Sequence, residues 1–490
     1  MKNATLCFLF LLYCHFSVAQ AIIPDSSFGN FGCINTSLSG NYYPYGQNFV
    51  LTPDGGVAVI GGHIAGMRMH RYDPYGTHLP SAQMNYPELS DYSIGITIQP
   101  DNKTIVCARE PSAPFHQKVI RMLPDGSFDP DFGENGVVTV PSAFTLHANL
   151  LMQPDGKIVL FGTEDQAPTG TQSMVVRFEP DGSLDTTFGD NGYVRVDAIN
   201  NSLEIFFSGA ILADGKMLFA GMVRHQAYFI KLMPNGDLDP SFSLDGIHIE
   251  PLNGSAEVYG MVAMPDGKYL ATGYTIPDYE AFVARYNANG HRDQSFGVMG
   301  AVYFPELSEG VDLAILPDGK ILALNWIAYN DGQIAVLTRL MPDGELDPAF
   351  GNQGYYTLDL EGHRPQAMEV HENQVIISTQ KGKIYLHRLL LDLHAGILSA
   401  AAPAETAPLI YPNPVGEQCN LQFALTEKSA VGIHLYDMQG KLIRTFREND
   451  RFEPGEHTLQ LDFPAHIPAG NYILQLDLNG RMAKAIKMVR

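Results

Sequence analysis

Residues 259–273 read YGMVAMPDGKYLATG, and residues 311–325 read VDLAILPDGKILALN. In both stretches an apolar segment leads into a Pro-Asp-Gly-Lys turn, and a second apolar segment leaves it. Proline sets φ at the first corner, the aspartate side chain caps the turn, and glycine adopts the positive φ that closes it. The pattern therefore predicts a β-hairpin in each stretch.

The same turn recurs through most of the chain. Six steps from Asp54 in the first copy to Glu372 in the last give a period of 53 residues. A period near ~40–50 residues is typical of one four-stranded blade of a β-propeller. The other copies are PDGG at 53–56, PDNK at 100–103, PDGK at 154–157, ADGK at 213–216 and a degenerate HENQ at 371–374.

Each unit continues with a third strand and, after a fixed corner, a fourth. MVVRFEPDG at 174–182 predicts a third strand, and LDTTFGDNG at 184–192 is the corner. The last third strand, KIYLHRLLL at 383–391, has no corner after it, whereas PDSSFGNFG at 24–32 is a corner without a preceding strand. We therefore expect the N-terminal strand to complete the last blade and close the ring. The predicted fold is all-β, a seven-bladed β-propeller over residues 20–395.

Composition and the N-terminus bear on location and partners. The 490 residues are 45% hydrophobic, which is enough for a large core, and the net charge of −22 disfavours nucleic acid as a partner. Residues 1–19 combine Lys2, a short apolar run and Ser17-Val18-Ala19, the pattern of a cleaved signal peptide. No later stretch reaches the ~18 apolar residues of a membrane-spanning helix. We expect an exported chain with no transmembrane segment.

A basic residue recurs before each third-strand turn, and an aspartate recurs in each corner. We expect every arginine to meet a corner aspartate in a bidentate structural pair. The alternative is a ring of arginines that binds an anion in the central channel, but a single ligand site needs residues that differ between units. Arg388 with Asp25 would latch the ring. The remaining predicted residues are Arg121, Asp129, Arg177, Asp185, Asp239, Arg285, Asp293, Arg339 and Asp347, with Lys231 replacing one arginine.

The sequence predicts no catalytic residue, no metal site and no cofactor. Neither HExxH, GxSxG nor a phosphate-binding loop is present. Calcium is the alternative, because DPDFGENG at 129–136 and DTTFGDNG at 185–192 place oxygens close together. These stretches lack the full ligand ladder of a calcium loop, and aspartates in turns usually cap backbone N–H groups.

After the last repeat the composition changes. Residues 396–408, GILSAAAPAETAP, are rich in alanine and proline and predict a linker. Residues 409–490 then alternate short apolar strands with turns such as EPGEH and IPAGN. This pattern predicts a second domain, a small antiparallel β-sandwich of Ig-like size.

The repeated part resembles the delta-60 repeat of secreted bacterial proteins, which is thought to form β-propellers. The resemblance rests on LDPSF, PDGK and R-x-x-PDG and covers residues 24–392. The first unit departs from it with THLP after Gly76, and Ser243 replaces a corner glycine. These two departures are where we expect an irregular loop that could serve a function.

Residues 409–490 resemble the type A C-terminal sorting domain of the type IX secretion system of Gram-negative bacteria. That resemblance implies recognition by the outer-membrane translocon, removal of the domain and a final location outside the cell or on its surface, reached through the periplasm. The residues that match are Pro412, Asn413, Pro414, Asp437, Gly440, Lys441, Gly470, Tyr472 and Lys487.

We expect a non-enzymatic propeller that binds an unidentified protein or glycan, or serves as a scaffold. The alternative function is a hydrolase that cleaves glycans, and a third is a purely structural surface component. Two carboxylates facing each other in one funnel would favour the hydrolase. The candidates in loops between units are Glu164, Asp165, Glu204, Asp278, Glu280, Glu306 and Glu309.

Overall fold

The computed structural model describes most of the chain. It forms two compact units, the first comprising Met1–Ile23, Asn35–Pro74 and His78–Ala395, the second Pro24–Ile34, Tyr75–Thr77 and Gly396–Arg490. The residues described are 22–30, 32–38, 48–63, 66–79, 84–86, 89–110, 116–140, 144–165, 170–199, 202–250, 252, 254–329, 332–358, 362–391, 409–411, 418–425, 428–437, 442–463, 467–468, 470–478 and 481–489. The predicted signal peptide and linker lie outside these residues.

The described part of the chain is all-β and contains no helix that could cross a membrane. Up to Leu391 its strands form seven antiparallel sheets. Sheet 1 holds β3 (Phe49–Leu51), β4 (Val57–His63), β5 (Gly66–Tyr72) and β6 (Met84–Tyr86). Sheet 2 holds β7 (Ser90–Ile98), β8 (Thr104–Arg109), β9 (Gln117–Met122) and β10 (Val137–Val140). Sheet 3 holds β11 (Phe144–Met152), β12 (Ile158–Asp165), β13 (Thr171–Phe178) and β14 (Tyr193–Val196).

The remaining four sheets follow the same order along the chain. Sheet 4 holds β15 (Glu204–Ile211), β16 (Met217–Val223), β17 (Gln226–Leu232) and β18 (Ile247–Glu250); sheet 5 holds β19 (Ser255–Ala263), β20 (Tyr269–Ile276), β21 (Ala281–Tyr286) and β22 (Ala301–Phe304); sheet 6 holds β23 (Glu309–Ile315), β24 (Ile321–Tyr329), β25 (Gly332–Leu340) and β26 (Tyr355–Leu358); sheet 7 holds β27 (Arg364–His371), β28 (Gln374–Lys381) and β29 (Lys383–Leu391), joined by β1 (Ile22–Pro24) and β2 (Cys33–Asn35).

The turns form as their sequence predicts. In PDGK at 265–268, Gly267 adopts φ 83° and its N–H donates to the carbonyl of Met264 over 3.0 Å. The Asp266 carboxylate accepts from the N–H of Lys268. The strands that flank such turns are buried on both faces: every residue of β16 and of β21 is buried. Sheets covered on both sides explain why these strands are continuously apolar instead of alternating.

The first strands of successive sheets lie side by side. In chain order β3, β7, β11, β15, β19, β23 and β27 each contact the next, and β27 also contacts β3. The N-terminal strands β1 and β2 both pair with β29 in sheet 7. Beyond them the Thr36 N–H and hydroxyl both donate to the carbonyl of Ile384.

The C-terminal part of the second unit contains two sheets. One holds β30 (Leu409–Tyr411), β31 (Gln418–Leu425) and β34 (Gly455–Asp462), and the other β32 (Ser429–Asp437), β33 (Leu442–Phe452), β35 (Asn471–Leu478) and β36 (Arg481–Val489). Leu421 and Phe423 from the first sheet and Ile433 and Leu474 from the second belong to one buried cluster. Two sheets around one apolar core are a β-sandwich.

Candidate binding site on the first strands

The repeated arginines and aspartates lie together, but in a different geometry from the one predicted. Arg177 Nε lies 2.7 Å from Asp185 Oδ2, and the same contact joins Arg121 to Asp129, Arg285 to Asp293 and Arg339 to Asp347 at 2.8–2.9 Å. The prediction of a bidentate fork is wrong. The second carboxylate oxygen accepts a backbone N–H two residues later, as from Thr187 to Asp185 Oδ1.

A lysine that sequence reasoning left without a role completes each contact. The lysine of the PDGK turn reaches the same Oδ2 atom, with Lys157 2.8 Å from Asp185. These lysines and arginines belong to different strands, so only the strand register could reveal that they converge. The other lysine and aspartate pairs are Lys103 with Asp129, Lys216 with Asp239, Lys268 with Asp293 and Lys320 with Asp347, at 2.7–3.1 Å.

The electrostatics of the corner follow from these contacts. Burial alone would raise the pKa of Asp185, but hydrogen bonds from Lys157 and Thr187 outweigh it and hold that pKa well below its usual range. The same balance, with Lys268 and Ser295 as donors, lowers the pKa of Asp293. These carboxylates are therefore ionised and fully engaged in protein contacts.

A second arginine nitrogen, Nη1, connects neighbouring repeats. Arg177 Nη1 donates to the carbonyl of Pro234, 57 residues further on, over 2.5 Å. The guanidinium also lies 4.3 Å from the centre of the Phe188 ring. Equivalent bonds run from Arg71 to Pro124, Arg121 to Pro180, Lys231 to Ala288, Arg285 to Pro342 and Arg388 to Pro74. The pairing of Arg388 with Asp25 stays a prediction; Asp25 Oδ1 accepts from the N–H and hydroxyl of Ser27.

The departure at Ser243 changes the corner that follows it. Ser243 itself keeps φ 50°, close to the φ 52° of Gly189, and its N–H donates to the carbonyl of Asn289 as the Gly189 N–H does to Asn235. The next residue, Leu244, adopts φ 78° and is 91% exposed, whereas the other corners have their second positive φ one residue later, as at Asn191. The Ile247 N–H donates to Asp245 Oδ1, so the loop is irregular, as the sequence predicts.

The functional asymmetry lies on the first strands. Sheets 4, 5, 6 and 7 each carry a register shift in their first strand, which places Phe207, Tyr259, Val311 and Gln366 at the bulges. A bulge re-aims the side chain that it carries. All four bulge residues line one cavity of about 190 Å³. None of the repeated arginines lines it, which argues against the anion-binding ring.

A group of aromatic and charged side chains adjoins this cavity; we call it the aromatic cluster. It consists of His225, Glu257, Tyr259, Tyr274, Tyr279, Glu309, Trp326 and Arg364 and draws on sheets 4 to 7. Glu257 accepts a 2.8 Å hydrogen bond from the Tyr259 hydroxyl, and its other oxygen lies 2.7 Å from His225 Nδ1. The Tyr259 ring packs on Tyr274.

Two features of the cluster suit ligand contact. Tyr279 is 60% exposed at φ 55° and stacks on Tyr274 with ring centres 5.6 Å apart. Arg364 lies 4.7 Å from the centre of the Trp326 ring and 3.1 Å from a Glu309 oxygen. Burial raises the pKa of Glu309, and the Arg364 charge opposes that rise.

The carboxylates proposed for a hydrolase have structural partners in three cases. Glu164 binds Arg195 at 2.8 Å, Glu204 accepts the N–H of Ile199 and the Tyr228 hydroxyl, and Glu309 binds Arg364. Sequence reasoning missed Glu257, whose other partner, His225, lies 32 residues earlier in the chain. In the described ranges no group of three or more His, Cys, Asp or Glu side chains is arranged to hold a metal ion.

The residues of the predicted sorting domain lie on the sandwich strands or outside the described residues. Asp437 and Tyr472 are register partners on β32 and β35, and the Tyr472 hydroxyl donates to the carbonyl of Pro468 over 2.7 Å. Gly470 precedes β35, and Lys487 on β36 is opposite Ile473. Pro412, Asn413, Pro414, Gly440 and Lys441 lie outside the described residues.

Repeated antiparallel sheets followed by a sandwich define an all-β propeller protein with an appended C-terminal domain. A β-propeller family described as a domain of unknown function, DUF5122, matches residues 153–188, 212–242, 265–296 and 316–350. The secretion system C-terminal sorting domain matches residues 409–489. The chain therefore carries DUF5122 β-propeller repeats and a type IX sorting domain, and it is an exported protein of the cell surface or exterior.

Solved structures that resemble the chain share little sequence with it. The polysaccharide lyase Uly1 is 9% identical, with 76% of this chain and 99% of that chain covered and a TM-score of 0.41. The BP39L lectin from Burkholderia pseudomallei is 10% identical, with 72% and 97% covered and a TM-score of 0.43. The WD40 domain of Toxoplasma gondii coronin is 10% identical, with 76% and 86% covered and a TM-score of 0.44. Among curated proteins, none matches this chain.

Proposed function

We propose that this protein is an extracellular binding module whose propeller holds a glycan at the aromatic cluster. The single observation that carries the binding role is Tyr279, an exposed tyrosine stacked on Tyr274 beside the carboxylate of Glu257. A flat aromatic ring packs against the C–H face of a sugar, while neighbouring carboxylate and imidazole groups hydrogen-bond its hydroxyls. The cluster offers both kinds of contact.

The delivery of this module rests on the C-terminal domain. We propose that residues 1–19 direct the chain to the periplasm and that residues 409–490 are then recognised by the outer-membrane translocon of the type IX system. Residues 396–408 connect that domain to the propeller at 20–395. Deletion of 409–490 is expected to leave the propeller in the periplasm, measured by fractionation and immunoblotting. Undiminished export would refute this route.

We also propose that the seven sheets close into a ring of seven blades. Three observations support it: β27 contacts β3, the N-terminal strands pair with β29, and Arg388 Nη1 donates to the carbonyl of Pro74. The first and the third link the last repeat to the first by contacts of the kind found between successive repeats, and the second adds the N-terminal strands to the last sheet. A ring leaves no sheet edge open to another chain.

The glycan proposal is tested on an array of bacterial and algal polysaccharides. Tyr279→Ala and His225→Ala are expected to lower binding of any glycan retained by the unmodified protein, because each removes one side of the cluster. Tyr75→Ala is the matched control, since Tyr75 is 68% exposed but lies outside the cluster. Equal loss of binding in all three variants, or retention in all three, would contradict the assignment.

Glycan hydrolysis is the second candidate, on one observation. Glu309 has a raised pKa, as a general acid requires, and Glu257 stands in the same cluster. Incubation of a bound glycan with the protein should then release reducing ends, and Glu309→Gln should abolish the release while binding persists. If no reducing ends are released, hydrolysis is excluded and the proposed function is binding alone.

A further inference from the structure

One position of the repeat varies between sheets in a way that the scaffold alone does not require. It lies six residues before the acidic residue of the first hairpin turn in sheets 1 to 6 and five residues before it in sheet 7. In sheets 4 to 7 it is the first paired residue after the bulge. Only one copy is ionisable. In sheet order the residues are Asn48, Gly95, Asn149, Ser208, Gly260, Asp312 and Ala367.

Close approach of neighbouring strands explains two of these residues. A Cβ atom at Gly95 would come within 2.7 Å of Asn149 Oδ1, and one at Gly260 within 2.9 Å of Asp312 Cα. Contacts this short exclude any side chain. Steric constraints thus explain the glycines but not the single carboxylate. The equivalent position in sheet 7 holds Ala367, so the repeat does not require a charged residue here.

Asp312 lies in the cavity of about 190 Å³. Its Oδ1 accepts from the N–H of Leu313 over 2.8 Å, and its Oδ2 accepts from the N–H of Met368 on the next sheet over 2.9 Å. No cation contributes to its electrostatics; burial raises the pKa of Asp312 to about 6 and the two backbone N–H groups oppose the rise. At neutral pH the cavity wall thus carries a carboxylate whose hydrogen bonds come from two backbone N–H groups.

A second polar group, the side-chain amide of Gln366, faces the same cavity. Gln366 is 8% exposed and lines the cavity, and within the described parts of the chain nothing hydrogen-bonds its side-chain amide. The other lining residues include the polar side chains of Asn149 and Ser208, the thioether of Met261, and the rings of Phe207 and Tyr259, which meet edge to face 4.8 Å apart.

We propose that this cavity binds a small organic cation, a compact quaternary ammonium group that carries a hydroxyl, with Asp312 facing the charge and Gln366 hydrogen-bonding the hydroxyl. The aromatic and thioether walls solvate such a cation through their π faces and sulfur atoms, which is how quaternary ammonium ligands are held elsewhere. A metal ion fits less well, because Asp312 is the one carboxylate among the residues that line the cavity. An anion is repelled. The cavity adjoins the proposed glycan site and shares Tyr259 with it, but Asp312 and Gln366 lie outside the aromatic cluster.

Choline and its uncharged isostere 3,3-dimethylbutan-1-ol test the proposal by calorimetric titration of the full chain. Choline is expected to bind at least about tenfold more tightly than the isostere, since only the charge differs between them. Asp312→Asn should weaken choline binding by at least about tenfold. Asp318→Asn, in an exposed turn of the same sheet, is the matched control and should bind as the unmodified protein does.

Two further measurements guard against a misfolded variant. Gln366→Leu leaves the carboxylate in place, and should weaken choline but not a tetramethylammonium probe that has no hydroxyl. Choline affinity of the unmodified protein should fall about tenfold between pH 7.5 and 5, as Asp312 takes up a proton, and Tyr259 is the other titratable side chain among the lining residues. Equal binding of the isostere, unchanged affinity in folded Asp312→Asn, or no choline binding at all overturns the proposal.

Discussion

Arg388 Nη1 donates a 2.6 Å hydrogen bond to the carbonyl oxygen of Pro74, 314 residues earlier in the chain. In five other copies within the described residues the same bond runs forward, as from Arg177 to Pro234. The contact therefore joins the last repeat to the first in the geometry that joins any repeat to its neighbour.

Substitution of Arg388 should loosen this junction. Arg388→Gln removes a charged donor from a buried carbonyl, so we expect a loss of about 1.5–3 kcal/mol in the free energy of unfolding. Lys383→Gln on the same strand is exposed and should change it by less than about 0.5 kcal/mol. Urea unfolding of both variants measures the difference, and equal midpoints would argue against a stabilising junction.

Asp25 offers a second test of the N-terminal segment. Asp25 is 5% exposed, so Asp25→Ala should destabilise the protein more than alanine at an exposed aspartate such as Asp190. Thermal melting measures both variants. Equal melting temperatures would refute the latch between Asp25 and Arg388.

The corner aspartates should dominate the stability of single repeats. Asp185→Asn removes the carboxylate from the buried Arg177 and leaves Lys157 with Glu179 as its anionic contact, and we expect a loss of about 3–5 kcal/mol in the free energy of unfolding. Asp190→Asn, five residues later in the same corner and exposed, should cost less than about 0.5 kcal/mol. Chemical denaturation separates them; similar midpoints would show that the three-residue contact contributes little.

Acid should destabilise the propeller through the same aspartates. Their pKa values are lowered in the folded protein, so the unfolded chain binds protons first and stability falls as the pH drops below about 4. The double variant Asp185→Asn with Asp293→Asn should show a shallower fall. Melting temperatures between pH 7 and 3 provide the measurement, and parallel curves for the two proteins would contradict the assignment.

Glycine at the contact between first strands should be irreplaceable. Gly260→Ala places a Cβ atom 2.9 Å from Asp312 Cα and from the Val311 carbonyl oxygen, and we expect a loss of about 1–3 kcal/mol. Ser208→Ala, at the equivalent position one sheet earlier, adds no atom and should cost less than about 1 kcal/mol. Urea unfolding measures both variants, and an equal loss of unfolding free energy would show that the close contact at Gly260 does not require glycine.

Much of the fold could be predicted because its signals are local. Each signal can be recognised within about ten residues of sequence: the PDGK turns, the corner motif and the continuous apolar strands. The period at which they recur predicts propeller repeats. The arginine and aspartate partners lie only eight residues apart, as Arg285 and Asp293 do. Their geometry was mispredicted because the guanidinium has a second acceptor 57 residues away, in Pro342.

The candidate site could not be predicted, because its residues are distant in sequence. Glu257, Tyr279, Glu309 and Arg364 converge only after three sheets are packed side by side, and no local pattern marks them. The bulges that turn Tyr259 and Gln366 into the cavity depend on a shift between strands, which the spacing of residues does not record. At Ser243 the broken motif was a reliable local signal, because the positive φ that other corners place two residues later moves to Leu244.

The bonds between repeats end on main-chain carbonyls, which every amino acid possesses. Lys231 meets Ala288 where other repeats join arginine to proline, and the joint persists at 3.0 Å. Copies of the repeat can therefore diverge in sequence while the hydrogen bonds between neighbouring repeats are kept. That tolerance frees the strands lining the cavity to diversify, so a family of such proteins could keep one framework while exploring many ligands.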